Sequence, residues 1–179
     1  MKKSIIAGLI LASLFIFTTF ILTFVPNAGA QSVTVKWKNF NYVNKSEANP
    51  YGGDKNHLVG IFTRRGLNVY ENGEVSLASS WGTFDYQITK GEGTGEAYSL
   101  YAFEDGSTIM TKYTMKAILS LKDSKHKFEL QGEFTDGTGR FRGIKGSFSG
   151  GGKQYTPTVG DTKGESYFEY TGTYTLPPK

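Results

Sequence analysis

The sequence contains no cysteine, and its 179 residues include only two histidines and five prolines. The absence of cysteine excludes disulfides, thiol catalysis and thiolate metal sites. A zinc site would require both His57 and His126, which are far apart in the chain, together with carboxylates. We therefore expect neither a metal nor a cofactor, and we interpret both histidines as surface residues at strand starts. No sequence pattern identifies catalytic residues.

Basic clusters and helical periodicity are also missing after residue 30. No run of Lys and Arg is longer than Arg64-Arg65, and the net charge of +4 includes Lys2 and Lys3. The composition therefore predicts no nucleic-acid partner. The glycine-rich segment 91–95 is not followed by the Lys-Ser/Thr pair of a phosphate-binding loop, which argues against that class of site and favours a hairpin loop.

Residues 1–30 have the organisation of a secretory signal peptide. Lys2 and Lys3 precede the charge-free run Ser4–Val25, and Ala28-Gly29-Ala30 supplies small residues for cleavage before Gln31. We expect a secreted or periplasmic protein without membrane association once the peptide is removed. The alternative is an N-terminal membrane anchor, because the apolar run is long enough to span a bilayer.

Residues 31–179 have the composition of a single all-β domain. The chain contains 11 Tyr and 13 Phe, which suit pleated, half-buried strands. Apolar and polar residues alternate with a period of two, which predicts strands with one buried and one wet face. The predicted buried residues include Trp37, Tyr113, Phe128, Phe148 and Phe168.

Turn residues separate these strands. Asn72-Gly73 and Asp105-Gly106 predict two-residue type I′ hairpins, in which both central residues have positive φ. The polar segments 41–56 and 153–165 are interpreted as loops, where functional residues are often found.

One segment changes the phase of its alternation. Its apolar residues occupy odd positions through Leu77 and Trp81, and even positions from Phe84 onward. Because a slip of one residue reverses the two faces of a strand, the sequence predicts a β-bulge at Gly82.

Eight to nine strands with hairpin spacing and no helical crossovers predict an antiparallel up-and-down β-barrel, with a β-sandwich as the alternative. Gly132, Gly146 and Gly172 fall on the predicted inner face. In a narrow barrel they would make room for facing rings, although a bulge or bend at each glycine is an equally good interpretation.

Residues 132–148 contain the most specific motif, Gly-Glu-Phe-Thr-Asp-Gly-Thr-Gly-Arg-Phe-Arg-Gly-Ile-Lys-Gly-Ser-Phe. It predicts a tight reversal followed by one helical turn at Arg140-Phe141-Arg142, capped by Asp136 or Thr138. Phe141 is expected to close one end of the barrel, and the two arginines to stay in water or to pair with carboxylates.

This motif resembles the Gly-Gly-Thr-Gly-x-Phe-x-Gly-x-x-Gly signature of the allene oxide cyclase barrel-like group, a relative of the dirigent barrels. Asp136 replaces the first glycine of the signature. The resemblance extends over about residues 74–176, and it implies an eight-stranded antiparallel barrel and a trimeric homo-oligomer. Asn49-Pro50 matches the Ser-Pro element of the plant cyclases only loosely, so no catalytic residue is carried over.

Several aromatic residues fall on the predicted inner faces, and buried tyrosines require hydrogen-bond partners. We expect an exported barrel that binds a small hydrophobic or aromatic ligand in its lumen. The alternatives are a cyclase- or isomerase-type enzyme, which a buried carboxyl of raised pKa would favour, and a secreted structural or interaction module, which a packed lumen would favour. The candidate ligand-binding residues are Phe84, Tyr86, Tyr113, Phe128, Tyr170 and Tyr174.

Overall fold

The computed structural model describes residues 31–120, 125–155 and 164–178, which form one closed, eight-stranded antiparallel barrel. The strands follow chain order around the barrel, and β1 pairs with both β2 and β8. The predicted barrel is therefore confirmed. The predicted signal peptide, residues 1–30, lies outside the described residues. The strands are β1 (Ser32–Tyr51), β2 (Asp54–Tyr70), β3 (Val75–Gln87), β4 (Glu92–Phe103), β5 (Thr108–Ser120), β6 (Lys125–Gly137), β7 (Lys145–Tyr155) and β8 (Ser166–Thr175).

A single 3-10 turn, Gly139–Phe141, joins β6 to β7. It confirms the helical turn that the motif predicts. Thr138 occupies the N-cap position, but its side chain makes no capping hydrogen bond and contacts Thr108 instead. Within the described ranges, no helix is long and apolar enough to cross a membrane.

Aromatic rings fill the middle of the barrel. The Trp37 side chain is only 2% exposed, stacks on Tyr170 with ring centroids 4.9 Å apart, and lies 5.6 Å from Phe148. Inner-face glycines make room for these rings. A Cβ on Gly132 would overlap with Phe148, and one on Gly172 would lie 3.0 Å from Phe134. The inner-face glycines therefore serve close packing at these two positions.

Both predicted hairpins form, but their turns are not of the predicted type I′. The Gly73 N–H donates to the Tyr70 carbonyl and the Tyr70 N–H donates to the Glu74 carbonyl, both at 2.9 Å, so three residues form the loop. The Asp105-Gly106 hairpin repeats this pattern. In each loop an Asn or Asp side chain accepts an N–H two residues later. This favours a three-residue loop that ends in a left-handed glycine.

The prediction of a loop at residues 41–56 is wrong, because this segment extends β1 and begins β2. Gly52 and Gly53 form the connecting two-residue turn, with φ of 58° and 84°. Both faces of this hairpin are largely exposed. Its residues therefore lack the apolar face that identifies a strand in sequence. Of the second predicted loop, 153–155 belong to β7 and 156–163 lie outside the described residues.

The predicted bulge at Gly82 is also wrong. The β3 register against β2 and β4 is continuous through Gly82, and Ser76 and Ala78 face the lumen. Leu77 and Trp81 lie on the outer face, where they are 64% and 48% exposed. The alternation misleads here because the outer face of β3 is more apolar than its inner face.

The outer apolar residues continue onto neighbouring strands. Leu77 pairs directly with Leu67 on β2, Leu67 pairs with Phe40 on β1, and Phe40 pairs with Tyr167 on β8. The homo-oligomer that the resemblance implies stays a prediction. Substitution of residues in this outer apolar row would test whether the row forms the contact between subunits.

A valine at Gly82 should be destabilising for a reason other than a bulge. A Cβ at this position would lie 2.5 Å from the Glu96 carbonyl oxygen and 2.6 Å from the Phe62 ring. We expect Gly82→Val to cost about 1–3 kcal/mol in the free energy of unfolding, as overpacking does. Urea denaturation measures this cost. The outward neighbour variant Thr83→Val should stay within about 0.5 kcal/mol of the wild type, and equal effects of both substitutions would contradict the packing argument.

Candidate functional site

Two cavities lie at opposite ends of the lumen, separated by the aromatic residues around Trp37. The first, which we call the Arg64 cavity, has a volume of about 240 Å³. It lies at the end of the barrel where β1 turns into β2. The second, the Phe141 cavity, has a volume of about 300 Å³ and lies at the end closed by the 3-10 turn.

The wall of the Arg64 cavity is mainly apolar. Strand alternation on β2, β3, β5 and β6 directs large side chains into the same end of the lumen. Gly60 and Gly93 leave space beside two of these side chains, because a Cβ at either position would collide with Phe84 or Tyr86. The apolar wall consists chiefly of Leu58, Phe62, Phe84, Met115 and Phe128.

Arg64 is the one cationic residue among those that line this cavity in the described part of the chain. Its guanidinium donates to Asn41 Oδ1 at 3.3 Å, to Ser166 Oγ at 3.0 Å and to Gln154 Oε1 at 2.5 Å. All three acceptors are neutral. At most three of the five guanidinium N–H groups are therefore used by described residues.

Aromatic rings surround the same guanidinium. Its central carbon lies 5.3 Å from the Phe62 ring centroid, 5.7 Å from Phe128 and 5.9 Å from Phe168. The ion pairs of the described residues do not include Arg64. Burial lowers the pKa of Arg64, but an arginine remains charged at physiological pH. A cation thus lies among apolar groups without a carboxylate partner in the described ranges.

A chain of side-chain hydrogen bonds supports Arg64 from inside the barrel. Its acceptor Asn41 donates to Asn39. Asn39 Nδ2 donates to Asn68 Oδ1 at 2.8 Å, and Asn68 Nδ2 donates to Ser76 Oγ at 3.2 Å. Asn68 and Ser76 are buried. Because buried amides need partners, the chain fixes the side chain of Asn41 and, through it, the orientation of the guanidinium.

His126 also lines the Arg64 cavity, so its interpretation as a surface residue is wrong. Its Nε2 lies 3.0 Å from the Tyr86 hydroxyl, and its ring packs edge-on against Tyr86. Burial, followed by the positive charge of Arg64, lowers the pKa of His126, and burial raises the pKa of Tyr86. Near neutral pH both side chains are therefore uncharged.

His57 lies at the edge of this end of the barrel. Its Nε2 lies 2.8 Å from Asp85 Oδ1, and its ring centroid lies 4.9 Å from that of Tyr51. Asp85 lines the cavity, but its side chain is about half exposed and faces His57. The expectation of a surface position at a strand start therefore fits His57 better than His126.

The six candidate residues from the sequence do not line a single cavity. Phe84, Tyr86 and Phe128 line the Arg64 cavity, and Tyr174 lines the Phe141 cavity. Tyr113 lies in the packed core, 6.5 Å from the Phe148 ring. Tyr170 also lies in the middle of the barrel, stacked on Trp37. Ligand binding by these residues stays a prediction.

Sequence reasoning did not identify Arg64 as a site residue. It noted Arg64 only as part of the short cationic run Arg64-Arg65. The signal that could have identified Arg64 is its position in the alternation of inward- and outward-facing residues on β2. On β2, Phe62, Arg64, Asn68 and Tyr70 share the inward-facing parity. Once this strand is assigned, alternation places Arg64 inside and Arg65 outside.

The Phe141 cavity is bordered by charged residues at its rim. Arg140 pairs with Glu74 and lies 3.5 Å from Asp105, which confirms that this arginine pairs with carboxylates. Deeper in the cavity, burial raises the pKa of Tyr70 to about 12. The rim charges are thus already paired with each other, in contrast to Arg64.

No protein-family model and no curated protein matches the chain. Two solved structures of pterocarpan synthase dirigent proteins are similar to it. The match to GePTS1 has 15% identity and a TM-score of 0.45, and covers 87% of this chain and 94% of that one. The match to PsPTS1 has 15% identity and a TM-score of 0.44, with coverages of 83% and 97%. This likeness is one of fold, and the eight-stranded barrel that the resemblance of residues 132–148 implies is the fold observed here.

Proposed function

We propose that this protein binds a small ligand with an apolar body, and that the ligand occupies the Arg64 cavity. The observation that carries the proposal is a preformed space of about 240 Å³ between apolar side chains, with a few polar groups at fixed positions. Sites for small molecules usually combine these two features. The ligand class is the hydrophobic or aromatic one expected from the sequence.

The alternative functions have less support. A structural module needs no internal space, yet the lumen is packed only in its middle and contains a cavity toward each end. An enzyme of the cyclase or isomerase type would be favoured by a buried carboxyl of raised pKa. In the described ranges, the carboxyls with displaced pKa values are Glu47, Asp105 and Glu169, and all three pKa values are lowered, chiefly by hydrogen bonds to neighbouring groups.

A bulky residue at the rim of the Arg64 cavity should block ligand entry. Ala48 lines the cavity and lies on an exposed part of β1, so Ala48→Trp should add volume at the rim with little cost in stability. We expect the wild type to bind the neutral fluorescent probe N-phenyl-1-naphthylamine, and Ala48→Trp to weaken that binding at least about tenfold, or about 1.4 kcal/mol.

Ala102→Trp is the matched control, because Ala102 pairs with Leu77 on the outer face. It should leave the dissociation constant of the probe unchanged. Absence of probe binding to the wild type, or equal binding by Ala48→Trp, would contradict the proposed site. Native mass spectrometry of protein purified from its own host would then identify any ligand that remains bound.

A further inference from the structure

The positive charge of Arg64 has no ion-pair partner among the described residues. Phe62, Phe128 and Phe168 surround the guanidinium, and its described hydrogen-bond partners are two amides and a hydroxyl. A charge in apolar surroundings is costly unless an opposite charge accompanies it. Neutral acceptors position the guanidinium but leave its full positive charge in place.

We propose that Arg64 recognises the carboxylate of a small, apolar monocarboxylic acid whose hydrocarbon or aromatic body lies against the cavity wall. This inference rests on the proposed function and specifies its ligand class. At least two guanidinium N–H groups have no acceptor among the described residues. The planar fork of an arginine matches a carboxylate in geometry.

The nearby ionisable groups are compatible with a single bound anion. Tyr170 and His126 both interact electrostatically with Arg64. Burial raises the pKa of Tyr170 well above its usual value and lowers the pKa of His126, so neither side chain is an anion near neutral pH. Asp85 lies at the rim, where it faces His57 at 2.8 Å. Among the described residues no carboxylate lies within ion-pair distance of Arg64. A single carboxylate bound at the guanidinium would therefore supply its counter-charge, whereas a dianion would bring a second negative charge that Arg64 does not offset.

The size of the space limits the body of the ligand. A volume of about 240 Å³ is below the usual range for drug-sized ligands, which begins at about 300 Å³. An acid with one or two aromatic rings, or a medium-length aliphatic chain, is therefore a better match than a long-chain fatty acid.

A pair of isosteric probes tests the charge requirement directly. In calorimetry near pH 7.5, we expect the protein to bind 2-naphthoate at least about tenfold more tightly than neutral 2-naphthamide. Arg64→Gln should abolish this preference, whereas Arg65→Gln should retain it, because Arg65 is the exposed neighbour on the outer face of β2. Arg64→Lys keeps the charge but not the fork, and should retain only part of the preference.

A second readout does not depend on the stability of the variants. Burial and, as a second cause, the nearby charge of Arg64 lower the pKa of His126. A carboxylate bound at Arg64 should offset the second of these effects, so 2-naphthoate should raise the His126 pKa in an NMR titration of the wild type. The neutral amide should not. An unchanged His126 pKa with saturating 2-naphthoate would overturn the proposal.

The outcomes separate this inference from the proposed function. Binding of N-phenyl-1-naphthylamine together with equal affinity for acid and amide would reject the carboxylate and keep the apolar site. Loss of all binding would reject both. Asp123 and Asp161 both lie outside the described residues, so Asp123→Asn and Asp161→Asn complete the set. An acid preference seen in either variant but not in the wild type would show that the chain supplies its own counter-ion, and would overturn the inference.

Discussion

Replacement of Trp37 by alanine should remove about 3–5 kcal/mol from the free energy of unfolding, the range for a large buried aromatic residue. The Trp37 ring lies within 6.4 Å of five other rings, including Tyr170, Phe148 and Tyr70. Its loss would leave a hole in the middle of the lumen, where surrounding strands in a closed barrel cannot collapse inward independently. Equilibrium urea denaturation measures the effect.

The second tryptophan of the chain is a matched control. Trp81 is 48% exposed on the outer face of β3, so Trp81→Ala should cost under about 1 kcal/mol. Trp37→Phe should cost less than Trp37→Ala, because it keeps most of the ring and removes an indole N–H that has no hydrogen-bond partner among the described residues. Equal destabilisation by Trp37→Ala and Trp81→Ala would contradict the inside-outside assignment of the two residues.

The two tryptophans also show how far the sequence determines this fold. Alternation correctly placed Trp37, Tyr113 and Phe128 inside, because the opposite faces of their strands are polar. It misplaced Trp81, because the outer face of β3 carries larger apolar residues than its inner face. Period-two patterns identify a strand in both cases, but they identify the buried face only where the two faces differ in polarity.

The candidate site was harder to predict because its polar members contradict the pattern. Arg64 and His126 occupy inward positions where alternation leads one to expect apolar residues, and the hairpin at residues 44–57 has no apolar face at all. Functional sites commonly break local rules in this way. The three aromatic candidates that do line the Arg64 cavity were found because their positions follow the rule.

The turn that closes the opposite end of the barrel depends on one apolar side chain. Phe141 is 7% exposed, and its ring lies 4.9 Å from Phe103 and 6.4 Å from Tyr174. The guanidinium of Arg140 covers the ring from the solvent side at 4.7 Å. We therefore expect Phe141→Ala to cost about 3–5 kcal/mol in the free energy of unfolding, as for other buried phenylalanines.

Arg142 provides the comparison within the same turn. It is exposed, and the ion pairs of the described residues do not include it, so Arg142→Ala should cost under about 1 kcal/mol. The two variants should be compared in matched urea melts under identical salt conditions, because salt screens surface charge but has little effect on a buried ring. A larger cost for Arg142→Ala than for Phe141→Ala would mean that charge at the rim, rather than burial of the ring, holds the turn between β6 and β7 in place.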